Sequence, residues 1–427
     1  GTDALPKDLL SGDTKTQEGR LAFLKNHLTL PLDTRHFPAD FTDRLLAAFD
    51  NLDEITDGLL VHSENWQALN LLQEKYRERV KCIYIDPPYN TGNDDFMYRD
   101  DYQHSSWLAM IEGRLVQSNK IMGLDSVMFM SIGNDECAHL RLLIESLMGR
   151  SNFRSSIIYR RGIKSVQAQF DTIDKLNQGY DFLLMSSKND KSRFRKLMVP
   201  KLPSENDNGD EIEKIERPVG SWNNHWRGTD RPSLRYPLFG ITPASGQWRW
   251  GRNRSEKAIE NYKRLCRDLG TDHPSQEQID DWVMQKDTAG EFPDLLRLSV
   301  VGTPEHYVRP SSEKLSSDLW IDLKANGSYQ IGALFGEKIF ENPKGTNLIE
   351  RLIKFVNDDD DFVLDYFAGS GTTGHAVINL NREDGGQRKF ILVEMADYFD
   401  TVLLPRIKKV TFTPEWKDGK PKRMATP

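Results

Sequence analysis

The stretch KCIYIDPPYNTG, Lys81 to Gly92, places residues with chemical potential directly after an apolar run. The run is typical of a buried strand, and it is followed at once by Asp86, Pro87, Pro88 and Tyr89. Because proline fixes its own φ and cannot donate to a ladder, the chain leaves the strand along a rigid path. The Asp86 carboxylate and the Pro87 carbonyl are then two fixed acceptors beside an aromatic ring. This combination suits an amino group on a flat ring; the alternative is an Asp-Pro turn with a core tyrosine.

A second stretch, DFVLDYFAGSGTTGHAV at Asp361 to Val377, predicts a ligand-binding loop between a strand and a helix. The predicted strand ends at Asp365. Gly369 and Gly371 then allow a tight turn, and a helix begins near Thr372. In a parallel α/β sheet, ligands bind beyond the carboxyl ends of strands, where glycines permit close approach and a helix start offers free N–H groups. No lysine follows the glycines, so the loop is not a Walker A loop.

The next predicted strand, RKFILVEM, brings Glu394 to its carboxyl end. An acid at that position suits a ribose diol. A nucleoside with a carboxylate-bearing tail would therefore satisfy both the acid and the helix start. The alternative is a glycine-rich turn with a purely structural role.

Strands and helices alternate on both sides of a long irregular segment. The strand-like runs GLLVH, KCIYI, SVMFMSI and FRSSIIYR precede that segment, and DFVLDYF and RKFILVEM follow it. This alternation predicts an α/β fold with a mainly parallel, Rossmann-like sheet and helices on both faces. The predicted domains are an N-terminal helical region at 1–55, a first part of the α/β domain at 56–160, an inserted module at 161–335 and a second part at 336–427.

Charge is distributed unevenly along the 427 residues. The net charge is −7, but residues 151–254 carry +8 and the rest of the chain −15. A basic, aromatic-rich segment in an acidic chain can be an electrostatic footprint for nucleic acid. No apolar run approaches the roughly 20 residues of a membrane helix, and three scattered cysteines fit neither a disulfide framework nor a zinc site. We therefore expect a soluble protein of a reducing, cytoplasmic compartment.

Taken together, the two stretches resemble those of the amino-methylating DNA methyltransferases that use S-adenosylmethionine. DPPY at 86–89 matches their catalytic tetrapeptide, and FAGSG at 367–371 matches their cofactor loop. The order of catalytic motif, inserted module and cofactor loop is that of the beta group. Further stretches, among them SSWLAMIEGRL, SVMFMSIGNDE and LFGEKIFENPKGTNLIERLI, are similar to modification subunits of type III restriction–modification systems. Two stretches depart from the pattern: HSEN stands where GDN is common, and NPKG at 342–345 where NPKP is usual.

The resemblance implies two sets of site residues and no metal. The catalytic set would bind the amino group and stack on a flipped base, and it consists of Asp86, Pro87, Pro88 and Tyr89. The second set would bind S-adenosylmethionine, and it consists of Asp365, Phe367, Ala368, Gly369, Gly371, Thr372, Glu394, Asn347 and Lys344.

The resemblance also implies a reaction and its partners. We expect a site-specific DNA methyltransferase that modifies adenine N6 of a flipped base, as the modification arm of a restriction–modification system. An aspartate in the first position of the tetrapeptide favours adenine; cytosine-N4 methylation, RNA methylation and a catalytically silent DNA-binding subunit are the alternatives. The implied partners are double-stranded DNA, a second copy of the chain and a helicase–nuclease restriction subunit, in a bacterial or phage-like, nucleoid-associated context. Segment 161–335 would choose the target sequence, with none of its residues assigned to a base.

Overall fold

A computed structural model describes residues 16–91, 103–161, 176, 178–200, 218–229, 231–356 and 358–422. These residues form two compact units. Met198–Leu315 form the second unit, and the described residues on either side of it form the first unit. None of the helices in the described ranges is both long and apolar enough to cross a membrane.

The elements alternate as the sequence predicts. The α-helices of the described residues are α1 (Gln17–Asn26), α2 (Ala39–Ala47), α3 (Leu52–Ile55), α4 (Asn65–Tyr76), α5 (His104–Ile121), α6 (Asn134–Met148), α7 (Arg252–Leu269), α8 (Gln276–Thr288), α9 (Gly327–Phe335), α10 (Thr346–Val356), α11 (Thr372–Asp384) and α12 (Leu404–Phe412). A π-helical turn, Phe399–Leu403, leads directly into α12.

The strands fall into one large sheet and several small ones. Those of the described residues are β1 (Gly58–His62), β2 (Val80–Ile85), β3 (Met122–Ile132), β4 (Phe153–Arg160), β5 (Tyr180–Ser187), β6 (Met198–Pro200), β7 (Ser221–Asn224), β8 (Trp226–Arg227), β9 (Gln247–Trp248), β10 (Leu296–Leu298), β11 (Pro304–Val308), β12 (Glu313–Leu315), β13 (Leu319–Trp320), β14 (Phe362–Asp365), β15 (Lys389–Glu394), β16 (Trp416–Lys417) and β17 (Lys420–Pro421).

The large sheet has the order β1-β15-β14-β2-β3-β5-β4-β13 and belongs to the first unit. Its first five strands run parallel to one another. Strand β5 runs antiparallel to both of its neighbours, and β13 pairs in parallel with β4. The prediction of a mainly parallel sheet is confirmed, although β5 lies in a segment for which the sequence predicted no strand.

Each face of the sheet carries its own hydrophobic core. In β2, Cys82 and Tyr84 pack into a cluster with residues of α10, α11 and α12. The alternate residues Ile83 and Ile85 pack into a cluster with residues of α4, α5 and α6. Since successive strand residues point to opposite faces, burial on both sides explains why β2 is an almost continuous apolar run. The predicted placement of helices on both faces is confirmed.

The second unit is narrower than the module predicted at 161–335. It contains the three-stranded sheet β10-β11-β7, two two-stranded sheets and the helices α7 and α8. Strands β5 and β13 and helix α9 lie inside the predicted module but belong to the first unit. In the first unit, β5 pairs with both β3 and β4.

Leu364 is fully buried in the central strand β14, so its replacement tests the packing of the core around that strand. Leu364→Ala should lower the free energy of opening of β2 and β14 by about 2–5 kcal/mol, because the cavity cannot fully collapse. Hydrogen-exchange mass spectrometry of these strands measures that energy. The matched change Leu142→Ala, at a leucine that is 67% exposed on α6, should alter it by less than about 0.5 kcal/mol. Equal effects of the two changes would contradict the described core.

Candidate functional site

Three neighbouring parallel strands bring acids to one edge of the large sheet. Glu394 is the last residue of β15, Asp365 is the last residue of β14, and Asp86 directly follows β2. These strands are adjacent, so their carboxyl ends meet. A cavity of about 570 Å³ opens there. Of the residues that the sequence singled out, all but Gly371 line this cavity.

The tetrapeptide after β2 is held by the neighbouring helix and strand. Trp107, fully buried on α5, donates from Nε1 to the Pro88 carbonyl oxygen at 2.9 Å. The Tyr89 ring lies so close to Gly133 that a Cβ there would be 3.0 Å from it. Glycine at 133 therefore leaves the space that the ring occupies. With its backbone fixed at Pro88, the tetrapeptide presents the Asp86 carboxylate to the cavity in a set position.

Lys344 reaches the tetrapeptide from the segment before α10. Its Nζ lies 3.1 Å from Asp86 Oδ1 and donates to Tyr89 Oη at 2.9 Å. The same ammonium lies 3.7 Å from Asp181 Oδ2 and 4.9 Å from the centre of the Tyr89 ring. The sequence placed Lys344 in the cofactor set. Its amine instead contacts the predicted catalytic residues, while its carbonyl accepts from the Thr372 hydroxyl at 3.1 Å.

Burial and ion pairing oppose each other in this cluster. Burial raises the pKa of Asp86, and the Lys344 ammonium acts in the opposite sense without fully cancelling the effect. Burial alone would lower the pKa of Lys344, but Asp86 and Asp181 outweigh it and raise that pKa. The lysine therefore stays charged and favours the ionised form of Asp86. An ionised carboxylate can only accept hydrogen bonds.

Three further residues complete the cluster, and sequence reasoning missed them. Tyr159 and Tyr89 both donate to Asp181 Oδ2 at 3.4 Å, and Arg161 donates to its Oδ1 at 3.2 Å. Burial raises the pKa of Tyr159 to about 12, so its hydroxyl stays protonated. Asp181 begins an apolar run in β5. Because β5 is antiparallel, its start lies at the edge where the parallel strands end, which the run DFLLMSS by itself does not reveal.

Asp365 holds the glycine loop in shape. Its Oδ1 accepts from the Phe367 backbone N–H at 3.0 Å, and its Oδ2 accepts from the Thr373 hydroxyl at 2.6 Å. Gly369 and Gly371 have φ of 54° and 82°. A residue with a Cβ rarely adopts these values. The loop therefore needs both the acid and the glycines to connect β14 to α11.

A buried arginine supports the other side of the loop. Arg406 on α12 is fully buried, and its Nη1 donates to Ser370 Oγ at 2.7 Å and to Thr372 Oγ1 at 2.9 Å. Its Nη2 lies 3.2 Å from His375 Nδ1. Burial lowers the pKa of Arg406 to about 9 and holds the pKa of His375 well below its ordinary value. The neutral imidazole can thus accept a hydrogen bond from the guanidinium.

Glu394 is fixed by backbone groups and still lines the cavity. Its Oε2 accepts from the Gly369 N–H at 2.9 Å. Its Oε1 accepts from the N–H groups of Met395 and Ala396 at 2.8 and 3.0 Å. The carboxylate therefore lines the cavity in a position that three backbone N–H groups set.

The segment NPKG lines the same cavity as the tetrapeptide. Asn347 donates from Nδ2 to the Lys324 carbonyl oxygen at 2.8 Å, so its amide braces this wall. A Cβ at Gly345 would lie 2.0 Å from Asn326 Oδ1 and 2.5 Å from Asn347 Oδ1. A side chain at 345 would therefore force the amides of Asn326 and Asn347 to shift.

The pKa of Asp365 makes stability depend on pH. Burial raises it from 3.8 to about 7, with Thr373 and the Phe367 N–H acting in the opposite sense. Between these two values the folded state holds a proton that the unfolded chain has released, so stability falls as pH rises. Asp365→Asn should remove up to roughly 1.4 kcal/mol per pH unit of this decline in the free energy of unfolding, measured by urea unfolding at several pH values in that window. The exposed Asp190→Asn should keep the wild-type decline; equal slopes in both variants would refute the assignment.

Comparison with known proteins agrees with this geometry. A DNA methylase family model matches residues 80–402. The chain is 30% identical over 370 residues to the Mod subunit of the type III restriction–modification enzyme StyLTI of Salmonella typhimurium, covering 78% of this chain and 52% of that one. It is 26% identical to the EcoPI Mod subunit of Escherichia phage P1, covering 79% of this chain and 57% of that subunit.

A shorter relative is covered more fully. The type II methyltransferase M.KpnI of Klebsiella pneumoniae is 28% identical over 371 residues, which are 81% of this chain and 84% of the relative. The chain thus spans little more than half the length of the two Mod subunits but most of M.KpnI. The family match runs from β2 through the glycine loop into the π-helical turn before α12, and it includes every residue that lines the cavity. On this evidence the chain belongs to the DNA methylase family.

Proposed function

We propose that the chain is a site-specific DNA methyltransferase that transfers a methyl group from S-adenosylmethionine to adenine N6 of a base flipped out of duplex DNA. One observation carries the proposal: the tetrapeptide at 86–89 and the glycine loop at 367–372 line a single cavity. An amino group held at the first and a methyl donor held at the second would face each other. Proximity and orientation of this kind supply much of the rate of such reactions.

The residues around the glycine loop fit S-adenosylmethionine. A cavity of about 570 Å³ lies within the range of roughly 300–1,000 Å³ for small-molecule sites. Glu394 is held by three backbone N–H groups and would accept hydrogen bonds from the ribose hydroxyls. Gly369, at φ 54°, would let the backbone approach the ligand closely. When bound, the cofactor supplies an electrophilic methyl group.

The other residues of the cofactor set would either contact the ligand or hold the glycine loop in position. Phe367 and Ala368 would contact the ligand as part of the cavity wall. Both oxygens of Asp365 and the Thr372 hydroxyl are engaged inside the protein, so they would position the loop. We assign supporting roles of the same kind to Gly371 and Asn347.

At the tetrapeptide, the Asp86 carboxylate and the Pro87 carbonyl would accept the two hydrogens of the target amino group. These bonds favour a pyramidal nitrogen and localise its lone pair, which is otherwise delocalised into the ring. The nitrogen would then form its new bond to the methyl carbon that the cofactor supplies, the electron pair of the broken carbon–sulfur bond would remain on sulfur, and the nitrogen would lose one proton. Asp86, with its pKa raised by burial, is the acceptor beside it.

Tyr89 would stack on the flipped base, and the target amino group would compete with Lys344 for Asp86. The Lys344 ammonium lies 3.1 Å from Asp86 Oδ1 and 2.9 Å from Tyr89 Oη. Asp181, at 3.7 Å from that ammonium, offers a second carboxylate to which the charge can shift. The ion pair with Asp86 would thus open as the amino group arrives.

The relatives support DNA as the substrate, because they include Mod subunits and a type II methyltransferase. We assign target recognition to the predicted module at 161–335, whose compact part is the second unit. A second copy of the chain and a restriction subunit are proposed partners on the same basis. Cytosine N4 presents an amino group with similar geometry, so product analysis has to separate it from adenine N6.

Asp86 provides the first test of this function. Asp86→Ala should lower the rate of methyl transfer to mixed-sequence duplex DNA by at least about 100-fold, because it removes a hydrogen-bond acceptor that would stabilise the transition state. Cofactor affinity should change little. Liquid chromatography with mass spectrometry of nucleosides measures both rate and product, and single-molecule sequencing gives the target context. Asp43→Ala, at an exposed aspartate of α2 outside the predicted recognition module, is the control.

The expected product is N6-methyladenine. Detection of N4-methylcytosine would contradict the proposed target base but would still support methylation of an amino group. Transfer to duplex RNA in preference to duplex DNA would contradict the proposed substrate. A purified, folded protein that binds DNA but methylates no sequence would support the catalytically silent subunit instead.

Glu394 tests the cofactor site separately. Glu394→Gln should weaken S-adenosylmethionine binding by about tenfold or more, since charged acceptors contribute roughly 1.5–3 kcal/mol. Isothermal titration calorimetry measures this affinity, and circular dichroism verifies that the variant folds. Glu383→Gln, at an exposed acid on α11 that pairs with Lys354, should retain wild-type affinity. Retained affinity in Glu394→Gln would exclude the ribose role.

A further inference from the structure

A cluster of two histidines and a glutamate lies next to the tetrapeptide loop but does not line the cavity. His104 is the first residue of α5, and Glu136 and His139 lie in the first two turns of α6. His104 Nδ1 is 2.6 Å from Glu136 Oε1, and His139 Nδ1 is 3.0 Å from Glu136 Oε2. The three ligand atoms all lie within 4.8 Å of one another.

We propose that His104, Glu136 and His139 bind a divalent transition-metal ion of the zinc type. Two imidazole nitrogens and one carboxylate are a donor set that Zn²⁺ uses in proteins, with water in a fourth position. The Glu136 side chain is fully buried, while the imidazoles are 63% and 44% exposed. An ion would therefore sit between a buried anion and solvent, and water can reach its open position.

The ligand atoms have to shift to accept the ion. With metal–ligand bonds of about 2.0–2.2 Å in a tetrahedron, ligand atoms stand roughly 3.4 Å apart. At present the two imidazoles lie 2.6 and 3.0 Å from different oxygens of Glu136, which are hydrogen-bond distances, and the ligand atoms lie within 4.8 Å of one another. Both histidines are partly exposed, so their rings have room to move. The competing interpretation is a hydrogen-bonded brace in which each imidazole donates a proton to Glu136 and no metal binds.

Asn90 would connect the metal site to the tetrapeptide loop. Asn90, which directly follows Tyr89, donates from Nδ2 to Glu136 Oε1 at 2.7 Å. Asn90 has a φ of 59°, so the loop turns sharply where this bond is made. An ion on Glu136 would link the starts of α5 and α6 and fix the acceptor that holds Asn90. The site would then stabilise the loop without taking part in methyl transfer.

The test measures metal binding by the full, untagged chain without DNA or cofactor. Metal-free protein is titrated with Zn²⁺ by calorimetry and with Co²⁺ by visible absorption, and metal content is measured after dialysis. We expect one equivalent of either ion. His104→Ala and His139→Ala should each weaken binding by about tenfold or more, and the double variant should abolish it together with the tetrahedral Co²⁺ spectrum.

The control is His273→Ala, at an exposed histidine in the second unit, which should bind the ion as the wild type does. Both cluster histidines are partly exposed, so their alanine variants should fold, and circular dichroism verifies this. Absence of a bound equivalent in the wild type, or binding that persists in the double variant, would overturn the proposal in favour of the hydrogen-bonded brace. Neither result bears on methyl transfer, so the two proposals fail independently.

Discussion

The parallel pairing of β2 with β14 is the contact on which the whole site depends. Val363 lies opposite Cys82, and Leu364 lies opposite Ile83. These pairs join parts of the chain that are separated by the entire second unit. Because the cost of closing a loop rises only with the logarithm of its length, such an insertion is compatible with the pairing. Once the strands lie side by side, their carboxyl ends must open onto the same space.

A compact set of charges occupies that space. Lys344 lies between Asp86 and Asp181, and Arg161 contacts Asp181 from the other side. Burial and the nearby Asp181 raise the pKa of Asp86, and the Lys344 ammonium opposes both effects. The charge state of Asp86 therefore depends on its neighbours. If Asp86 accepted another hydrogen-bond donor in place of Lys344, the lysine would keep its contact with Asp181.

The sequence was sufficient for the local features and insufficient for those that depend on packing. The apolar run before Asp86 and the glycines after Asp365 predict strand ends, and alternation predicts that these ends meet. The contribution of Asp181 could not be predicted, because it depends on a strand that joins the sheet in the opposite direction. The direction of the Lys344 side chain is equally invisible in the sequence. A lysine in a turn before a helix can point to solvent, to a ligand or, as here, to a carboxylate from a distant segment. Arg406 lies on a helix that the sequence predicts, but only the packing of α12 against α11 reveals that its guanidinium supports the glycine loop.

The amides around Gly345 have an evolutionary consequence. Any side chain at that position would collide with Asn326 Oδ1, which would lie 2.0 Å from its first carbon. A side chain at 345 becomes acceptable once the amides at 326 and 347 have turned away or have been replaced by smaller groups. Smaller residues at 326 and 347 remain sterically compatible with glycine at 345. Substitutions at these three positions are therefore coupled and not additive.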